Sequence, residues 1–201
     1  MSMNWFWRRK VKKELRLWSE QVLNRPSPFF NGIAPCPYAV NAMRNDQVKV
    51  CFGKLGMLNQ IMEEWDDSHK LVILVIKDYN QFPIVEWACN LSNRIYSDSD
   101  LVAMDFVPGE GIDTGQPDSE MTDWTHVVDE PYAMIFVQRV SELTAASRSL
   151  ASRGYYQNCT DKFKQYITER EHNHARKEED HAEEGQRQED HEEEGHACSA
   201  G

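Results

Sequence analysis

The stretch KLVILVIKDYNQFPIVEWACNLSNRI, from Lys70 to Ile95, sets the class of fold. Leu71 to Ile76 is an unbroken aliphatic run, rich in β-branched side chains and flanked by Lys70 and Lys77. A short run without polar alternation is the pattern of a strand buried on both faces, as in sheets sandwiched by helices. The period then changes. From Gln81 to Ile95 the apolar residues Ile84, Ala88, Leu91 and Ile95 recur at helical spacing, and Pro83 falls in the first turn, where its missing N–H is not needed.

The same alternation extends outward in both directions. Gln47 to Phe52 reads as a strand and Leu55 to Trp65 as a helix. Leu101 to Val107 reads as a third strand, Tyr132 to Val137 as a fourth, and Val140 to Leu150 as a helix. Phe163, Tyr166 and Ile167 suggest a short terminal helix. Strands alternating with helices predict an α/β fold with a four-stranded mixed, partly parallel sheet and right-handed crossovers. The last strand follows a loop without a crossover helix, so it is expected antiparallel to a neighbour. A ferredoxin-like α+β sandwich of the same elements is the alternative.

Ahead of this body, Trp7, Val11, Leu15, Trp18 and Val22 form one stripe of an amphipathic helix, ended by Arg25-Pro26. Six basic residues against Glu14 give Met1 to Trp18 a net charge of +5. At the other end, Glu169 to Gly201 carries −8 and repeats EDHAEEG as EDHEEEG ten residues on. Such a segment has too few apolar side chains to offset its ordering entropy and is expected disordered. The expected organisation is therefore a basic helix (1–24), a single α/β domain (25–168) and an acidic, histidine-rich tail (169–201).

The full charge of −11 over 201 residues leaves −3 outside the tail and, once the basic head is set apart, an acidic body between Ser19 and Thr168, so nothing there points to nucleic acid. The longest aliphatic run is far short of the roughly 20 residues that span a bilayer, so an integral membrane protein is not expected. Five cysteines without a C-x-x-C pair argue against a disulfide framework and favour a reducing, cytoplasmic setting.

Three short motifs carry a resemblance. Trp18 and Pro35-Cys36-Pro37-Tyr38-Ala39 come first; Asp78-Tyr79-Asn80-Gln81-Phe82 and Glu130-Pro131-Tyr132-Ala133 follow. In these the chain resembles a bacterial family known only as a domain of unknown function, number fourteen-fifteen, over about Trp18 to Arg153. That family tends to have His-Pro where Val107-Pro108 stands here. The resemblance implies the fold and the neighbourhood of a site, and no activity.

In open α/β sheets ligands bind beyond the carboxyl ends of the parallel strands. Asp78, Tyr79 and Asn80 follow one such end, Asp105 lies at another, and Tyr132 precedes the fourth strand. Together they are the candidate contacts for a small polar ligand. Asp78 has a second reading, as the N-cap of the helix after it. Cys36, stiffened by Pro35 and Pro37 just before an expected helix start, is the candidate nucleophile, because a helix N-terminus favours thiolate. The competing reading is a small apolar plug. His126, in the long loop from Pro108 to Pro131, is the candidate base, with Asp129 or Asp105 as its orienter. No metal site is assigned to the body and no cofactor is implied; a P-loop pattern is absent. The tail's five histidines suggest weak divalent-metal binding, and the basic helix, with Trp5, Phe6 and Trp7, suggests contact with an anionic surface. Two functional classes follow: a pocket protein with cysteine or acid–base chemistry, or a non-catalytic interaction module that uses the head and tail.

Overall fold

The computed structural model describes residues 5–108, 128 and 130–170. Its centre is a four-stranded sheet of β1 (Val48–Gly53), β2 (Leu71–Ile76), β3 (Leu101–Phe106) and β4 (Ala133–Arg139), in the order β1-β2-β4-β3. β1 and β2 are parallel; β4 runs antiparallel between β2 and β3. The expected mixed sheet and its antiparallel last strand are both present. The order follows from burial. β2 and the Ala133 to Val137 stretch of β4 are continuously apolar and take the two central places, covered on both faces. β1 and β3 lie at the edges, and the exposed Lys49 of β1 discourages further pairing there.

Helices cover both faces. On one, α3 (Met57–Glu63) and α4 (Val85–Ile95) pack with Leu58, Met62, Val85 and Cys89 against Val72, Leu74, Ile76, Ala133, Ile135 and Val137. On the other, α1 (Trp5–Trp18) lays Val11, Leu15 and Trp18 on Ile73, Val75, Tyr132 and Met134. This two-sided cover is not the ferredoxin-like sandwich. The expected stripe of α1 is the buried one, and it continues through a π-helical turn, Ser19–Leu23, before Pro26.

After that turn, Pro28–Phe30 forms a 3-10 turn and α2 (Ala39–Arg44) leads into β1. α5 (Val140–Ala151) follows β4 directly, and residues 161–170 are helical. Gly154, at φ +74°, turns the chain after α5 so that Tyr155 stacks on Phe30, ring centroids 4.4 Å apart. Phe30, Ile33, Leu150, Tyr155 and Cys159 make a third apolar cluster. Among the described residues no helix is long and apolar enough to cross a membrane.

The phase of α4 departs from the sequence expectation. Its buried face is Val85, Cys89 and Ser92, whereas Ile84, Leu91 and Ile95 are exposed. The helix does not start at Gln81: residues Tyr79–Ile84 form a 3-10 helix, and α4 begins only after Pro83. With three residues per turn instead of 3.6, that segment rotates the phase of all that follows.

Candidate functional site

The strand register places Gly53 beside Ile76, Ile76 beside Ala133, and Phe106 beside Met134. The carboxyl ends of β1, β2 and β3 therefore share one end of the sheet. Asp78, Tyr79, Asn80, Asp105 and Tyr132 lie along or near that rim, as expected from the topology.

Their side chains part company there. Asp105 shares its strand face with Leu101 and Ala103, which are buried on the α4 side. Burial raises its pKa, and the nearby Glu86 carboxylate adds to the shift. Tyr132 is buried on the α1 side, its ring edge-on to Trp7 at 6.3 Å. Burial, with the Glu14 carboxylate facing its hydroxyl, raises the Tyr132 pKa. The sheet separates the two, so the expected shared pocket is corrected: strand alternation sends them to opposite faces.

Asp78 is a cap. Its carboxylate accepts from the Asn80 N–H at 3.1 Å and from Gln81 Nε2 at 2.9 Å, and these bonds hold its pKa below the usual value. Gln81 Oε1 in turn accepts from the Leu55 N–H at 2.8 Å, tying the turn after β2 to the turn after β1. Tyr79 is exposed and leans on Phe82, ring centroids 5.1 Å apart; Asn80 is exposed. The rim is thus a braced turn. A cleft of about 130 Å³ lies elsewhere, between α3 and β1 beside Cys51, Trp65 and His69, well below the several hundred Å³ of typical ligand sites.

Cys36 lies two residues before the N-cap of α2, Tyr38, and not at the helix start expected from Pro37. Its N–H donates to the Leu23 carbonyl at 2.9 Å, and the Tyr155 hydroxyl donates to the Pro35 carbonyl. The sulfur is half-buried beside the Tyr155 cluster. Burial raises its pKa, outweighing the backbone hydrogen bonds of Tyr38 and Ala39 that favour thiolate. This environment fits the plug reading better than the activated nucleophile. Cys51 and Cys159 are raised by burial too, and Cys89 is pushed up to about 12, with Asp105 and Glu86 contributing. His126 and Asp129 lie outside the described residues, as do the tail histidines. Among the described residues no cluster of three or more His, Cys, Asp or Glu is placed to hold a metal.

The outer surface of α1 is a different kind of feature. Trp5 and Phe6, 61% and 71% exposed, pair edge-to-face at 5.0 Å. Arg9 lies over the Trp5 ring at 5.6 Å, and Arg8, Arg9, Lys12, Lys13 and Arg16 are all exposed. Lys10 is drawn aside toward Glu14, 3.8 Å away. Trp7 does not join the exposed aromatics: it packs on Phe52 at 5.4 Å, with the Lys77 ammonium 5.2 Å from its ring. Helical spacing could have separated Trp7 from Trp5 and Phe6, since only Trp7 is in phase with Val11, Leu15 and Trp18.

The chain matches no protein-family model, no curated protein and no solved structure.

Proposed function

We propose that this protein is an interaction module that docks on anionic phospholipid surfaces through the outward face of α1, with the α/β domain as its carrier. The observation that supports this reading is the pairing of two exposed aromatic rings in the first turn of α1 with five exposed basic side chains on the same helix. Val11, Leu15 and Trp18 already hold α1 on the sheet, so the outer residues are not needed for folding. Trp5 and Phe6 suit the headgroup boundary, where aromatic rings sit with one edge wet. Arginine and lysine contribute about 1 kcal/mol each near an anionic leaflet, so apolar and polybasic signals act together. The alternative, a ligand pocket with thiol chemistry, is supported less, because Asp105 and Tyr132 diverge and Cys36 favours its protonated form.

The test is co-sedimentation of the full chain with vesicles of phosphatidylcholine alone or mixed with phosphatidylserine. Binding is expected only with the anionic lipid and falls steeply with salt, because exposed charges are screened over about 8 Å at physiological ionic strength. A chain that stays in the supernatant with both vesicle types, or that binds both equally, refutes the reading.

A further inference from the structure

α4 is apolar on two faces, and only one of them is used. Val85 and Cys89 meet the sheet; the Ser92 hydroxyl donates to Asn59 of α3 at 3.0 Å, and the Tyr96 hydroxyl, just past the helix, donates to Glu63 of α3 at 2.6 Å. The second face carries Ile84, Trp87, Leu91 and Ile95, which are 47%, 63%, 39% and 57% exposed. Their spacings of three, four and four residues make one straight row, about 16 Å long at 1.5 Å per residue, and none of the four is charged. A helix apolar on both sides is normally covered on both sides.

We infer that this row is the contact by which two copies of the chain pair through antiparallel α4 helices. Trp87, Leu91 and Ile95 match themselves about a two-fold axis at Leu91, with Ile84, in the 3-10 turn before α4, outside the symmetric stretch. Trp87 and Ile95 lie four residues to either side of Leu91, so an antiparallel partner sets Trp87 of each copy against Ile95 of the other. Arg94 is two turns along from Trp87 on the same flank of the row. The two-fold therefore brings each Arg94 guanidinium beside the other copy's Trp87, a cation–π geometry that neither a lipid nor an unrelated apolar segment would supply. The four side chains expose on the order of 400 Å² of apolar surface per copy, a patch of the size that marks interaction sites. Doubled across the two-fold it comes to about 800 Å², short of the roughly 1,000 Å² of a stable interface, so only a weak, reversible dimer is expected. α4 lies on the opposite face of the sheet from α1, so this inference does not depend on the lipid reading.

The experiment is sedimentation velocity of the full chain from about 1 to 200 μM, a range that brackets micromolar dissociation constants. A concentration-dependent monomer–dimer equilibrium is expected. The pair Trp87→Ala and Leu91→Ala should weaken it at least ~30-fold, as expected when central interface residues are truncated. Trp5→Ala with Phe6→Ala should leave it unchanged. Under mild oxidation Leu91→Cys, on the axis, should form a disulfide-linked dimer much faster than Ile84→Cys. A chain monomeric throughout the range overturns the inference, whether or not the row then takes up an apolar peptide or vesicles. So does a dimer insensitive to the Trp87 and Leu91 changes, one lost with Trp5 and Phe6, or equal cross-linking at positions 84 and 91.

Discussion

Replacing Trp5 and Phe6 together by alanine should remove most of the membrane affinity and none of the fold. Aromatic side chains present about 150–250 Å² each, so exposures of 61% and 71% leave roughly 120–150 Å² on each ring open to solvent. At about 25 cal/mol per Å² the two rings are worth at least ~6 kcal/mol on full burial. A helix lying in the headgroup region buries only about half of that, so ~3 kcal/mol is the working figure, a loss of roughly 150-fold in affinity. The assay is vesicle co-sedimentation at fixed anionic-lipid content, with circular dichroism and thermal melting as fold controls. Because Val11, Leu15 and Trp18 hold the helix, the melting temperature should not fall. A loss of affinity below about threefold, with the fold intact, would mean that the rings stay in water; the basic residues would then act alone.

Three further outcomes test the site and its electrostatics. Iodoacetamide at neutral pH should alkylate Cys36 no faster than Cys51, since burial raises both thiols; a rate more than about tenfold higher at Cys36 would restore the nucleophile. Arg139 grips Asp67 through two bonds of 2.6 and 2.5 Å and lowers its pKa to about 2. Its folded pKa lies below its unfolded value, so this stabilisation is present above about pH 4 and lost as pH falls through about 2. Arg139→Ala should flatten stability over that window, and an Asp67 titration by NMR that stays near 2 in the variant would disprove the assignment. Asp105 has the opposite sign. Its folded pKa is raised by burial, so its carboxylate costs stability as pH rises above the unfolded value of about 3.9. Asp105→Asn should raise the melting temperature at pH 7 and leave it little changed at pH 3; equal effects at both would refute the burial argument.

Much of the architecture was legible in the residues. The unbroken run of β2 and the stripe of α1 each allow one burial solution, and both are present. α4 was misread because two of its faces have helical spacing. The choice between them is made by the 3-10 turn that Asp78 caps, a local geometry that periodicity does not encode. The site was less legible for a related reason. Proximity to the strand ends follows from topology, but which face a side chain takes follows from strand parity. That parity sends Asp105 and Tyr132 apart. Cys36 lies where expected along the chain, yet its chemistry is set by burial, and the Tyr155 hydroxyl that holds the neighbouring Pro35 carbonyl comes 119 residues later, which no local motif reveals.

The placement of β4 bears on how the chain is synthesised. β2 and β3 are joined only through β4, so the sheet stays in two pieces until Arg139 has left the ribosome. Until then one flank of LVILVI is an open ladder with the composition of an aggregation-prone segment. Fragments cleaved before Ala133 should therefore precipitate or require a chaperone, whereas cuts beyond α5 should leave a sheet with all its strands in place.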